Sequence, residues 1–195
     1  MRKHWDSQFS LNVAKVLPGE YYVSSHDEMI TTVLGSCVAA CIRDKQGNIG
    51  GMNHFLLPLG DQASGGGWET TSVNASMRYG NFAMEHLING ILRSGVKRQS
   101  LEIKLFGGAS VMQMTTSEVG RRNIDFVLSF LREEGLPVHS QDLGGTLPRK
   151  IMYHPLTGQA LVKKLSSEAQ SIAASERSYL QRVRVTPVAG DIELF

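Results

Sequence analysis

Residues 31 to 58 read TTVLGSCVAACIRDKQGNIGGMNHFLLP. Two short apolar runs, Val38 to Ile42 and Ile49 to Leu57, flank the polar, glycine-bearing segment Asp44 to Gly47. Apolar runs of this length on either side of a short polar turn predict a β-hairpin.

The predicted hairpin brings Cys37 and His54 together. If its loop has an even number of residues, either Lys45 and Gln46 alone or Asp44 to Gly47, Cys37 lies directly opposite His54. Opposed side chains share one face of a sheet, with Cβ atoms about 4.5 to 5.5 Å apart. A loop with an odd number of residues would place the two side chains on opposite faces.

A thiol beside an imidazole suits nucleophilic catalysis. The pair can exist as thiolate and imidazolium, and the thiolate is the reactive form of cysteine. The same residues also fit a second interpretation, in which Cys37 is a small buried hydrophobic residue and His54 a hydrogen-bonded polar residue near a strand end. Spacing alone leaves both interpretations open.

Four motifs follow one another between about residues 20 and 165: Leu34 to Val38, Gly50 to His54 with Leu57-Pro58, Lys104 to Ala109, and Asp142 to Gly145. In this order they resemble the chemoreceptor glutamine deamidases of bacterial chemotaxis, the CheD family. The resemblance places the catalytic cysteine on Cys37, the catalytic histidine on His54 and a third residue, a threonine six positions before the cysteine, on Thr31. Thr32 is its neighbour in the chain.

The resemblance implies a function. Members of the family hydrolyse the side-chain amide of particular glutamines in the cytoplasmic helices of chemoreceptors to glutamate, which tunes adaptation, and many bind a phosphatase of the CheC type. It therefore implies a cysteine-dependent amidohydrolase without cofactor or metal, with chemoreceptor helices as substrate and a CheC-type phosphatase as a partner. The alternative is a non-catalytic docking module that regulates such a phosphatase or the receptor, with Cys37 buried.

Composition narrows the class of protein. The chain has 195 residues, 42% of them apolar, a formal charge of +2 and two cysteines. A net charge this small does not indicate the basic surface of a nucleic-acid-binding protein. Two cysteines four residues apart cannot form the disulfide framework of a secreted domain. No stretch approaches the roughly 20 apolar residues of a membrane span. We therefore expect a cytoplasmic protein that binds no nucleic acid and is not inserted in a membrane.

Three segments are expected along the chain: a flexible N-terminal arm over residues 1–12, a deamidase domain over 13–165, and a C-terminal helix and tail over 166–195. Hairpin-length loops between strands predict an α+β fold, a layered single domain with mixed, largely antiparallel β-sheets packed against two main helices. The stretches 138–142, 150–154 and 159–165 are predicted to form a terminal meander of strands. The glycine pair at 107–108 predicts a tight turn beside the active-site strands, and the loop 60–71 is expected to border the substrate groove.

Overall fold

The computed structural model describes residues 2–57, 69–111, 116–166 and 169–185. Within these residues, ten strands form two five-stranded sheets. The first sheet has the order β1 (Arg2–Asp6), β2 (Leu11–Lys15), β4 (Glu28–Leu34), β9 (Arg149–Tyr153), β10 (Ala160–Lys164). The second has the order β3 (Tyr21–Ser24), β6 (Gly50–Asn53), β5 (Val38–Asp44), β7 (Leu101–Gly107), β8 (Val138–Leu143). The helices are α1 (Glu69–Leu92), α2 (Thr116–Glu133) and α3 (Ala169–Val185).

Both sheets are mixed and largely antiparallel, as predicted. In the first sheet β2 and β4 run parallel, and in the second β7 and β8 do, while the other neighbouring strands are antiparallel. The layered α+β prediction is therefore confirmed. Among the described residues, no helix is both long enough and apolar enough to cross a membrane.

The second sheet is covered on both faces, which explains why β5 is apolar at successive positions. Val38, Ala40 and Ile42 lie in a core cluster with side chains of α1 and α2. The alternate residues Ala39 and Cys41 lie in a second cluster, with side chains of β4 and β9 from the first sheet. The molecule is thus a stack of first sheet, second sheet and the helix pair α1 and α2. The candidate site lies between the two sheets.

The hairpin of β5 and β6 exists, with a register displaced by two residues from the predicted one. Cys41 pairs with Met52 and Val38 bridges Phe55, while the Asp44 N–H donates to the Ile49 carbonyl. The loop therefore has four residues, 45 to 48, and Gly47 takes the positive φ of +81° that this turn needs. Because a shift of two residues preserves the face of each side chain, Cys37 and His54 stay on one side of the sheet.

Two local predictions are wrong. The segment 1–12 is not a loose arm, because Arg2–Asp6 forms the edge strand β1 and pairs with β2. The Lys3 ammonium also donates to the buried Glu28 carboxylate at 2.8 Å. The three late strands do not form one meander, since β8 joins the second sheet beside β7 whereas β9 and β10 join the first. The division of the chain at residues 12 and 165 remains a prediction, and residues 60–68 of the expected groove loop lie outside the described residues.

Candidate active site

Cys37 follows the bend Gly35-Ser36 between β4 and β5 and is held there by the turn after β7. The Gly108 N–H donates to the Cys37 carbonyl and the Ala109 N–H to the Gly35 carbonyl, both at 2.7 Å. Gly107 has a φ of +111°, and a Cβ atom there would clash with the Cys37 carbonyl oxygen. Only glycine fits so close to the cysteine backbone in this conformation. The predicted tight turn is confirmed.

His54 leaves the end of β6 and lies on the same face of the second sheet as Cys37. Its N–H donates to the Glu20 carbonyl at 3.0 Å, and its carbonyl accepts from the Gly19 N–H at 2.8 Å. The Cys37 sulfur, a ring nitrogen of His54 and a carboxylate oxygen of Glu176 all lie within 4.8 Å of one another. Cys37 is 0% and His54 2% exposed. The structure therefore brings together the predicted cysteine and histidine, in a buried position.

The threonine that contacts the histidine is Thr32, not Thr31. The Thr32 hydroxyl lies 2.7 Å from His54 Nδ1, whereas the Thr31 hydroxyl donates to the Ile151 carbonyl at 2.8 Å. Successive side chains of a strand point to opposite faces. The residue expected to hold the imidazole, Thr31, is thus replaced in that contact by its neighbour Thr32 on β4.

The hydrogen bonds of Thr32 define the proton position on His54. Its hydroxyl has one proton, and it donates that proton to the Val16 carbonyl at 2.8 Å, because a carbonyl can only accept. The same oxygen then accepts from the Nδ1 atom, so we assign the proton to Nδ1 and a free lone pair to Nε2. Nε2 is buried and has no hydrogen-bond partner among the described residues. An imidazole in this tautomer can take a proton from a nearby thiol.

A carboxylate from the C-terminal helix completes the site. Glu176 of α3 is 6% exposed. One of its oxygens accepts from the N–H groups of Gly35 at 2.9 Å and Cys37 at 3.2 Å, and the other from the Ser36 N–H at 2.9 Å and the Ser36 hydroxyl at 2.6 Å. Three consecutive backbone N–H groups therefore point at one carboxylate, an anion-binding arrangement. No feature of the sequence points to this role, because a glutamate in a polar helix ordinarily lies in solvent.

The protonation of the site follows from burial. Burial raises the pKa of the Cys37 thiol well above its ordinary value, and the nearby Glu176 carboxylate raises it further. Burial lowers the pKa of His54 to about 4, against the opposing influence of Glu176 and Val16. Cysteine and histidine are therefore both neutral at pH 7 while α3 is in place.

Asn123 of α2 is a further buried residue of the site that the sequence did not reveal. Its side-chain amide donates to the Ser36 carbonyl at 2.8 Å, and its oxygen accepts from the Leu57 N–H at 2.9 Å. One side chain thus joins the bend before Cys37 to the segment after His54. It ties together the two segments that carry Cys37 and His54.

Cys37, His54 and Glu176 also have the ligand types of a zinc site. Both Glu176 oxygens, however, already accept hydrogen bonds from N–H and O–H donors. A row of backbone N–H groups attracts anions rather than cations. The arrangement therefore fits an anionic group better than a metal ion.

Comparison with known proteins places this chain in a family. The family model described as CheD chemotactic sensory transduction matches residues 60–164. The chain belongs to the CheD family. The segment matched by the model does not include Cys37 or His54, but full-length relatives do align with that part. A probable chemoreceptor glutamine deamidase CheD of Rhodopseudomonas palustris (strain BisA53) is 50% identical over 197 residues, covering 100% of this chain and 90% of that protein.

A second CheD relative is similar to nearly the whole chain. A protein of the same name from Saccharophagus degradans is 50% identical and covers 99% of this chain and 89% of its own. Among solved structures, a Neisseria meningitidis protein of the family DUF152 has a TM-score of 0.39 and 11% identity, over 71% of this chain and 64% of that one. That likeness is too weak to carry an argument.

Proposed function

We propose that this chain hydrolyses the side-chain amide of specific glutamines in the cytoplasmic helices of chemoreceptors, producing glutamate and ammonia and so tuning chemotaxis adaptation. The names of the CheD relatives support the reaction and its substrate. The observation that carries the proposed chemistry is the Glu176 carboxylate, which is a glutamyl side chain bound beside a cysteine and a histidine. Glutamate is the product of glutamine deamidation.

Cys37 is the proposed nucleophile and His54 the proposed acid and base. The thiol proton passes to His54 Nε2 as sulfur attacks the carboxamide carbon, and the carbonyl oxygen becomes an oxyanion. The N–H groups that now hold Glu176, those of Gly35, Ser36 and Cys37, are placed to stabilise that oxyanion. The carbon–nitrogen bond then breaks, His54 gives its proton to the leaving nitrogen, and ammonia departs from a thioester.

Hydrolysis of the thioester requires water near His54. Beside His54 and Thr32, the segment after β2 lines a cavity of about 120 Å³, which α3 closes on its other side in the described conformation. A water molecule takes about 30 Å³, so the cavity has room for several. His54 removes a proton from one water, which attacks the thioester carbon; the carbon–sulfur bond breaks, and Cys37 recovers its proton. Glutamate is released and both side chains return to their starting states.

Thr32 is proposed to position His54, in the role that the family resemblance assigned to Thr31. Its hydroxyl accepts from Nδ1 and keeps Nε2 free for the thiol. A neutral hydroxyl stabilises imidazolium less than a carboxylate would, because only the carboxylate adds the attraction of an opposite charge.

The test uses a recombinant chemoreceptor cytoplasmic fragment as substrate. Ammonia release and amide-to-acid conversion, located by peptide mass spectrometry, are expected with the wild-type chain and abolished by Cys37→Ala. His54→Ala is expected to lower kcat by about 10²- to 10⁴-fold, the usual contribution of general acid–base catalysis. Binding of the fragment without conversion by the wild-type chain would instead support the docking-module alternative.

The proposed substrate and partner set the expected location. A protein that acts on the cytoplasmic helices of receptors works in the cytoplasm, where reduced thiols persist. Neither cysteine is in a disulfide in the structure. A CheC-type phosphatase is a proposed partner on the family resemblance, and size-exclusion chromatography of the mixed proteins tests it directly.

A further inference from the structure

Helix α3 closes the site that the proposed reaction needs open. With Cys37 0% and His54 2% exposed, a glutamine from another protein cannot reach the thiol. The N–H groups that would stabilise an oxyanion are already bound to Glu176. The described conformation is therefore one in which substrate is excluded.

We propose that α3 is an intramolecular inhibitor that docks as a product mimic, with Glu176 in the position of the glutamate that deamidation forms, and that a receptor helix must displace α3 before reaction. The inference rests on the proposed function. It adds that the chain regulates its own active site and that the groove under α3 is the groove for the substrate helix.

The fit of Glu176 to its cradle supports product mimicry. Its side chain is chemically identical to a deamidated glutamine, and it too projects from a helix. The backbone at Gly35 is shaped for the carboxylate, since a Cβ atom at that position would lie 2.9 Å from a Glu176 oxygen. With four hydrogen bonds from the bend 35–37, the carboxylate is bound as a ligand would be.

The contacts of α3 with the body of the protein are mainly polar, and a competing helix can replace them. Among the described side chains of α3, Glu176 alone is buried, whereas Ile172 and Tyr179 are half-buried. The Tyr179 hydroxyl hydrogen-bonds to that of Tyr79 on α1. The described side chains of α3 bury little apolar surface, and Ser171 and Arg177 each make a further interaction, so the docking is largely polar. A receptor helix that offers its own glutamine side chain can compete for the same donors.

Electrostatics act in the same direction as steric closure. Burial and the Glu176 carboxylate both raise the pKa of Cys37, which keeps the thiol protonated while α3 is docked. Removal of the carboxylate frees the anion-binding N–H groups and removes a negative charge from beside the sulfur. Displacement of α3 therefore opens the site and favours the thiolate at once.

The direct test is the variant Glu176→Gln, which presents the site with an amide in place of the product. If α3 docks as a product does, the purified variant converts position 176 back to glutamate at a rate independent of protein concentration. The double variant Glu176→Gln, Cys37→Ala keeps the amide. The native, exposed Gln170 and Gln181 of the same helix are matched internal controls and stay unconverted.

A second test measures inhibition with Glu176→Ala. Loss of the anchor should increase the rate of Cys37 alkylation by iodoacetamide, and kcat/KM on the receptor fragment, by about tenfold or more, because the apparent activity scales with the open fraction. Ser178→Ala, at an exposed position of α3, is the control and should change neither rate. Circular dichroism and a urea titration confirm that each variant is folded.

The outcomes separate the two proposals. Suppose that the wild-type chain deamidates the receptor, that position 176 of the Glu176→Gln variant stays an amide, and that Glu176→Ala is alkylated and turns over substrate no faster than the wild type. This result would overturn the inference and leave the proposed function standing. Absence of conversion both in the receptor and at position 176 would overturn the function and the inference with it. Conversion at position 176 together with faster alkylation of Glu176→Ala supports both.

Discussion

Replacement of Thr32 by valine tests the assignment of the threonine beside the histidine. Valine has nearly the shape of threonine, so Thr32→Val removes one hydroxyl and little packing. That hydroxyl serves two buried groups, the Val16 carbonyl at 2.8 Å and His54 Nδ1 at 2.7 Å. A buried polar group left without a partner costs about 1 to 3 kcal/mol, so the unfolding free energy should fall by roughly 2 to 6 kcal/mol.

The effect of Thr32→Val on catalysis comes from the hydrogen bond lost at His54. If the 1 to 3 kcal/mol lost at Nδ1 falls on the transition state, kcat decreases by about 5- to 150-fold, since about 1.4 kcal/mol is a factor of ten. With one acceptor fewer beside Nδ1–H the imidazolium is less stable, so the acid limb of the kcat profile should move to lower pH. Site-resolved mass spectrometry of a receptor fragment at several pH values measures both quantities.

The neighbouring residue gives the control for this prediction. Thr31→Val removes one hydroxyl that donates to the Ile151 carbonyl at 2.8 Å, away from His54. It should cost about 1 to 3 kcal/mol of stability by the same reasoning, with kcat and its pH profile close to those of the wild type. A larger fall in kcat for Thr31→Val than for Thr32→Val, with both variants folded, would refute the assignment.

Two further predictions concern the frame of the site and its protonation. Asn123→Ala leaves the Ser36 carbonyl and the Leu57 N–H unpaired. Urea unfolding should therefore show a loss of roughly 2 to 6 kcal/mol, and kcat should be lower; unchanged stability would contradict the bridging role. The pKa of His54 is about 4 in the folded chain against an ordinary 6.5, so the unfolded state binds more protons between these values and the unfolding free energy should fall, by up to roughly 3 kcal/mol, as the pH drops from 6.5 to 4. His54→Gln should remove this part of the pH dependence. If the unfolding free energy of His54→Gln depends on pH as that of the wild type does, the result argues against a buried neutral imidazole.

Much of the fold could be predicted because its strands are short runs separated by turn residues. The hairpin-length loops indicated the layered α+β class, and the predicted runs 38–42, 138–142, 150–154 and 159–165 agree within a few residues with β5, β8, β9 and β10. The N-terminal strand β1 was missed because Arg2–Asp6 is polar and mostly exposed, so it has no apolar alternation to recognise. The membership of β8 and β9 in different sheets was missed because strand order depends on which faces are buried together, and a linear pattern does not contain that information.

The apolar runs around residues 44 to 47 were enough to predict one hairpin in which Cys37 and His54 share a face for any even loop length. Side chains in strands alternate with a period of two, so that result survived a register displaced by two residues. Tertiary structure decided which threonine holds the histidine, because the first sheet turns Thr32 toward His54 and Thr31 toward β9. It also brought Asn123 and Glu176 to the site from positions 87 and 140 residues beyond Ser36. Contacts at such separations arise from the packing of whole layers, and no local pattern of residues specifies them.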